Sequence, residues 1–174
     1  MKSTIWLAFL LVACGGDGTV PSKQVHAPSA SELITGNKEA VKLEDRDIDL
    51  YVQRHALTVQ PTGTGVRFGT LRDMDGPTVG PEQWAQVNYR MELLTGDTAY
   101  ASEPGKPESF LVEHDDVESG LHEAVQRMSP GDSAIIIIPS YRAHGLIGDM
   151  DKVPMRSTIV YHIGLVSVLD DGTK

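Results

Sequence analysis

The sequence predicts an α+β fold, in which one antiparallel sheet of about five strands curls around a single short helix and an extra helix precedes them. Three patterns favour this fold. Residues 117–128 place apolar side chains at helical spacing, residues 135–138 are four consecutive isoleucines, and residues 84–93 alternate apolar with polar side chains. Spacing of three to four indicates an amphipathic helix, whereas a period of two indicates a strand with one buried face.

The first 14 residues resemble a bacterial lipoprotein signal peptide. Lys2 gives a positive start, residues 5–13 are an apolar run too short to span a bilayer, and Leu-Val-Ala-Cys ends at Cys14. The resemblance to a lipobox implies cleavage before Cys14 and lipidation of its thiol, whereas the alternative is an ordinary signal peptide. It also implies an anchor in the bacterial cell envelope, and Gly15 favours the outer membrane facing the periplasm.

Residues 15–36 and 37–62 differ in character. The first range is rich in Gly, Ser and Pro and has no period, which predicts a flexible tether. In the second, Ile48 and Tyr51 lie on the apolar face of a predicted amphipathic helix, and a linker with Pro61 follows. Such a helix is either a dimerisation arm or a helix packed on its own domain, and its short length favours packing.

Residues 63–170 form the predicted folded domain. Strands are predicted near residues 66–68, 84–93, 99–100, 110–112, 135–138 and 158–165. Pro130 and Gly131 end the short helix, because proline cannot continue it and glycine tolerates the turn. The isoleucine run is expected to be a strand buried on both faces.

Composition and charge exclude several classes of protein. The formal net charge is -9, with 24 acidic and 15 basic residues, which argues against binding nucleic acid. A single cysteine excludes a disulfide framework within one chain. His114, Asp115, Asp116 and His122 match no known metal-site spacing, and a charged loop before a helix explains them. We therefore expect no metal and no cofactor.

Several short motifs occur in an order that resembles the FKBP-type peptidyl-prolyl isomerase domain. They are Val-Asn-Tyr at 87–89, Thr-Gly-Asp-Thr at 95–98, Phe110, Gly-Leu-His-Glu-Ala at 120–124, Met-Ser-Pro-Gly at 128–131, Ala-His-Gly at 143–145, Val-Pro at 153–154 and Thr-Ile-Val-Tyr at 158–161. The match covers about residues 65–169. Pro-Ser-Tyr at 139–141 is also similar to the isomerase lipoproteins associated with gliding motility.

The resemblance implies an FKBP-like fold and a set of site residues. The implied catalytic positions are Tyr89, Tyr100, Leu121, His144 and Tyr161. The implied substrate-binding positions are Ala99, Phe110, Val117, Glu118 and Val153.

Four of these positions depart from the family pattern. Ala99 replaces a wall phenylalanine, Tyr100 replaces an acidic residue, and His144 replaces a tyrosine whose hydroxyl donates to substrate. Glu118 stands where a backbone N–H receives the ligand's carbonyl. Without the resemblance, Tyr89 and a second tyrosine on the last strand would be interpreted as core residues.

Two functions of different classes follow from the resemblance. The first is isomerisation of X-Pro bonds in unfolded or folding envelope proteins, by an apolar pocket that binds the twisted amide and needs no metal or nucleophile. The alternative is a chaperone or assembly module of the same fold with little or no isomerase activity, which the substitutions at Ala99, Tyr100 and His144 favour. A structural lipoprotein of surface motility machinery is a third hypothesis.

Overall fold

A seven-stranded antiparallel sheet forms the centre of the structure, for which a computed structural model describes residues 27–114 and 117–170. The strands are β1 (Gln60–Pro61), β2 (Arg67–Arg72), β3 (Gln83–Leu93), β4 (Thr98–Ala101), β5 (Glu108–Leu111), β6 (Ser133–Ile138) and β7 (Ile159–Asp170). The helices are α1 (Ala30–Arg54) and α2 (Ser119–Val125), with a 3-10 turn at Ser140–Arg142. Neighbouring strands follow the order β1-β2-β6-β7-β3-β4, and β5 also pairs with β3. The predicted fold class is confirmed, and β1 is a strand that the sequence did not predict.

The sheet is buried on both faces, as the isoleucine run predicted. Ile136 and Ile138 belong to the main core, on the inner face that carries α2. Ile135 and Ile137 belong to a second core on the outer face, beneath α1. Burial of each such side chain contributes about 1.5–3 kcal/mol, so both faces stabilise β6.

Helix α1 begins earlier than predicted, at Ala30. Ser29 forms a capping box, in which its hydroxyl accepts the Glu32 N–H at 3.3 Å and the Glu32 carboxylate accepts the Ser29 N–H at 2.8 Å. This box satisfies two backbone donors and fixes the start of the helix. The predicted tether is therefore wrong over residues 30–36, which are helical, while Cys14 and residues 15–26 lie outside the described part of the chain.

The C-terminal half of α1 packs against its own domain. Ile48 and Tyr51 are buried in the outer core, and Arg67 of β2 forms ion pairs with Asp45 and Asp49. This outcome is the one that the helix length favoured over a dimerisation arm. In the described ranges no helix combines the length and apolar character required to cross a bilayer.

Helix α2 is shorter than the predicted range of 117–128. It begins after Glu118 and ends at Val125, although Met128 beyond its end is still fully buried. Gly120 faces β6 so closely that an added Cβ would overlap a methyl group of Ile138. Glycine therefore lets α2 lie directly on the inner face of the sheet.

Candidate active site

A small cavity of about 110 Å³ lies between α2 and the inner face of the sheet. Its lining consists of Val87, Tyr89, Glu108, Ser109, Phe110, Val117, Leu121, Tyr161 and Ile163. Strands β3, β5 and β7 form one side, because alternate residues of a strand share a face. Leu121 of α2 and the preceding Val117 form the other side. Five of the ten predicted site residues thus meet here, namely Tyr89, Phe110, Val117, Leu121 and Tyr161.

The two tyrosines of the cavity form a tilted ring pair. The ring centroids of Tyr89 and Tyr161 are 5.6 Å apart, with 58° between the planes. Tyr89 pairs with Ile163 and Tyr161 pairs with Met91, so the two rings are diagonal neighbours on antiparallel strands. Aromatic pairs at this separation contribute about 0.5–1.5 kcal/mol, which holds both rings in place as cavity walls.

Both tyrosine hydroxyls donate to carboxylates. The Tyr161 hydroxyl lies 3.2 and 3.1 Å from the two carboxylate oxygens of Glu118, and the Tyr89 hydroxyl lies 3.1 Å from Oε2 of Glu108. Burial, followed by the charge of Glu118, raises the pKa of Tyr161 well above its ordinary value. Burial and then Glu108 raise the pKa of Tyr89 to about 12. The two phenols therefore remain protonated at neutral pH.

Glu118 also pairs with His144 at the edge of the cavity. The His144 Nε2 atom is 2.9 Å from Oε1 of Glu118, whose side chain is 7% exposed against 29% for the histidine. A neutral imidazole that donates its Nε2–H retains only an acceptor at Nδ1. The predicted donation from His144 to a substrate would then need the Nδ1–H of the protonated ring, and this role stays a prediction.

Tyr100 lies outside the cavity lining and anchors the loop between β6 and β7. Its hydroxyl donates to Asp149 at 2.5 Å, and Asp149 also accepts the backbone N–H groups of Asp151 and Val153 at 2.9 and 2.8 Å. The hydrogen bond to Asp149, together with partial burial, raises the pKa of Tyr100 to about 12. Partial desolvation opposes the effect of these donors on Asp149, yet the donors lower the pKa of that carboxyl to about 2. Tyr100 thus holds the loop and does not line the cavity, and the catalytic role implied for it stays a prediction.

Ala99 and Val153 are buried in the main core rather than in the lining of the cavity. Strand β4, which carries Ala99, pairs with residues 90–92 of β3, whereas the cavity wall is formed where β5 pairs with residues 84–87. Ala99 and Val153 thus pack in the same core as the cavity walls without lining the cavity, and the substrate contacts predicted for them stay a prediction.

Within residues 27–114 and 117–170, no group of three or more His, Cys, Asp or Glu side chains is placed to hold a metal ion. His122 instead accepts the backbone N–H of Glu113 on its Nδ1 atom at 2.9 Å. The cavity walls consist mainly of aromatic and aliphatic groups, with carboxylates at the edge. Such a site is suited to binding an apolar group by exclusion of water.

The sequence profile described as FKBP-type peptidyl-prolyl cis-trans isomerase matches residues 76–166, which is more than half of the chain. The chain belongs to this family. It is 33% identical over 88 residues to a Macrophage infectivity potentiator of Trypanosoma cruzi, covering 50% of the chain and 44% of that relative. It is 29% identical over 115 residues to the Peptidyl-prolyl cis-trans isomerase Mip of Coxiella burnetii, covering 63% of the chain and 47% of that relative. The chain thus spans less than half the length of these two relatives.

Solved structures give the same family fold. A peptidyl-prolyl cis-trans isomerase from Pseudomonas syringae superposes with a TM-score of 0.66 at 26% identity, over 76% of this chain and 96% of that one. FkpA from Escherichia coli gives a TM-score of 0.65 at 24% identity, over 80% of this chain and 65% of that one. At this identity the similarity to FkpA shows the fold alone. The predicted relationship to FKBP-type isomerases is confirmed.

The FKBP-type cavity contains four residues that the sequence did not single out as site residues. Val87 and Ile163 line it from β3 and β7, and their inward direction was available from the alternation of both strands. Glu108 and Ser109 had no comparable signal, because they belong to a short strand after a loop rich in proline and glycine. Their position depends on the pairing of β5 with β3, which is set over a long sequence distance.

Proposed function

We propose that the chain is a peptidyl-prolyl isomerase that accelerates rotation about X-Pro bonds in folding proteins. The main observation in support is the cavity, in which the Tyr89–Tyr161 pair faces Val117 and Leu121. Rotation about the amide meets a barrier of about 18–20 kcal/mol, because twisting removes the resonance of the C–N bond. A site that binds the twisted amide better than the planar one lowers that barrier.

The chemistry proposed for this chain is differential binding by an apolar site. A twisted amide is less conjugated and less polar than a planar one, so water-excluding walls favour it. Both tyrosine hydroxyls donate to Glu118 or Glu108 and are engaged in the free protein. The proline ring would occupy the space beside Leu121, and the backbone N–H of Glu118 would receive the neighbouring carbonyl.

A second candidate function is a binding or assembly module of the same fold. The pairing of His144 with Glu118 favours it, since a neutral imidazole that already donates its Nε2–H has no second donor for a substrate carbonyl. Such a module would bind unfolded chains without accelerating proline-limited steps.

We further propose that the protein is lipidated at Cys14 and anchored in the cell envelope. Cys14→Ser would then move it from the membrane fraction to the soluble one, and continued membrane association would contradict the anchor.

The refolding of a substrate limited by proline isomerisation tests the enzyme proposal. Wild-type protein at micromolar concentration is expected to shorten the slow phase. Ile163→Trp, which fills the cavity from β7, is expected to remove this effect. Its matched control is Val166→Trp at an exposed position of the same strand, which should retain activity. No acceleration by the wild type, with suppressed aggregation, would support the binding module instead.

A further inference from the structure

We infer that Glu44, on α1 and on the side of the sheet opposite the cavity, is a positioning residue for the isomerase site, an inference that rests on the proposed function. Its carboxylate accepts three hydrogen bonds. The Ser140 N–H and the Thr158 hydroxyl both donate to Oε1 at 2.6 Å, and the Ser140 hydroxyl donates to Oε2 at 2.9 Å. Hydrogen bonds to an ionised acceptor are about twice as strong as neutral ones.

These donors lie at the two ends of one loop, residues 139–158. Ser140 follows the end of β6 by two residues, and Thr158 directly precedes β7. Ser140 and Thr158 are both buried, so a donor left there without an acceptor would be costly. A single side chain of α1 therefore holds both bases of the loop that carries His144.

The hydrogen bonds of Ser140 continue to the backbone around His144. The Ser140 carbonyl accepts the N–H groups of Ala143 at 3.0 Å and of Gly145 at 2.8 Å, the residues on either side of His144. The Gly145 carbonyl in turn accepts the N–H of Arg156 at 2.9 Å, near the other end of the loop. Displacement of Ser140 would therefore displace the backbone that directs His144 toward Glu118.

Packing between α1 and the loop is too sparse to replace this bond network. A groove of about 720 Å³ separates them, and its walls include the exposed side chains Val41, Leu43 and Leu146. A further hydrogen bond, from Arg156 to Asn37, is long at 3.4 Å and exposed. Glu44 is consequently the side chain of α1 on which the loop position depends most strongly.

The test compares three variants of the full chain. Glu44→Ala removes all three acceptors. Glu44→Gln keeps one acceptor oxygen and can donate to the Ser140 hydroxyl, so it is expected to restore most of the function. The control is the double variant Asp45→Ala with Asp49→Ala, which breaks the ion pairs between α1 and Arg67 but leaves the loop contacts intact.

Two measurements separate positioning from general stability. Glu44→Ala is expected to lower kcat/KM by about tenfold or more, since small displacements in a site can cost that much. Amide hydrogen exchange at Gly145 should become about tenfold faster, as expected for losing bonds to a charged group. Glu44→Gln should be near wild type in both, and the control should change melting temperature without either effect.

Each contrary result has a separate meaning. Wild-type kinetics and wild-type exchange in Glu44→Ala would overturn the positioning role alone. An equal loss of kcat/KM in the control would also overturn it, because docking of α1 as a whole would then account for the loss. No isomerase activity in the wild type would overturn the proposed function and this inference together, and it is detected before any variant is made.

Discussion

Tyr161 and Glu118 join the last strand to the start of α2, with the phenol hydrogen shared between two carboxylate oxygens at 3.1 and 3.2 Å. Both residues are buried, and Glu118 accepts a second partner, His144, on the same carboxylate. Burial of a carboxylate is costly unless hydrogen bonds satisfy it. The cavity edge therefore depends on a network of three side chains from β7, the N-cap of α2 and the loop after β6.

Removal of the Tyr161 hydroxyl tests this network. Tyr161→Phe is expected to lower the free energy of unfolding by about 1.5–3 kcal/mol, because it removes one of the two donors of a buried charged acceptor. Tyr89→Phe is the matched control, since its hydroxyl bonds the exposed Glu108, and it should cost only about 0.5–1.5 kcal/mol. Urea unfolding of both variants provides the comparison. Equal losses would show that the Glu118 network adds nothing beyond an exposed hydrogen bond.

Tyrosine ionisation should be shifted upward throughout the folded protein. The pKa of every tyrosine is raised: burial is the main cause for Tyr51, Tyr89, Tyr141 and Tyr161, and the hydrogen bond to Asp149 is the main cause for Tyr100. The ordinary pKa is about 10. A raised folded-state pKa stabilises the fold below pH 10, and this stability is lost as the pH rises through about 12. Ultraviolet titration should show less phenolate at pH 10 in the folded protein than in denaturant, where the midpoint should be about 10. A folded-state midpoint near 10 would contradict the raised pKa values.

Tyr100→Phe should change the acid limit of stability. In the wild type, the pKa of Asp149 is lowered to about 2, so its ionised form stabilises the fold above the unfolded value of about 3.9, and this contribution is lost as the pH falls toward 2. Without the Tyr100 donor, the pKa of Asp149 should move upward and the loss should begin at a higher pH. Carboxyl titration by NMR measures this directly. An unchanged Asp149 midpoint would mean that the two backbone donors alone hold the carboxylate.

The strands and the inward-facing tyrosines were predictable because their signals are local. Alternation on β3 and β7 follows from a period of two, and the four isoleucines of β6 indicate burial on both faces. The same alternation predicts the inward direction of Tyr89 and Tyr161, and the order of the short motifs that resembles the FKBP-type domain assigns both residues to the site. Local pattern therefore determined which side chains point toward the cavity.

The remaining features depend on contacts between distant residues. Ala99 was assigned to the site by family position, and where it packs depends on the pairing of β4 with residues 90–92, which no local pattern specifies. The start of α1 was missed because Ser29 and Glu32 lie within a stretch whose glycine, serine and proline content resembles a linker. Glu44 gave no signal, since an acidic residue on a helix is usually solvated and its partners are 96 and 114 positions away.

Two glycines that lie in helices should respond in opposite directions to the same substitution. Gly36 of α1 has no atom within 4 Å of an added Cβ, so Gly36→Ala should stabilise the protein by up to about 1 kcal/mol through helix propensity. Gly120 of α2 lies against Ile138 and Val66, both fully buried and unable to retreat. The overlap in Gly120→Ala should cost about 1–3 kcal/mol, which outweighs the gain in propensity.

The urea midpoints of the two variants show whether the gain in helix propensity or the steric overlap of the added Cβ is larger at each position. Gly36→Ala should shift the midpoint upward and Gly120→Ala downward, with the slope unchanged in both. Since α2 forms one side of the cavity, Gly120→Ala should also reduce isomerase activity, whereas Gly36→Ala should leave it unchanged. Stabilisation by Gly120→Ala would mean that α2 can move away from β6 at little cost, in which case contact with the sheet does not fix the position of the helix, and the cavity has a flexible wall.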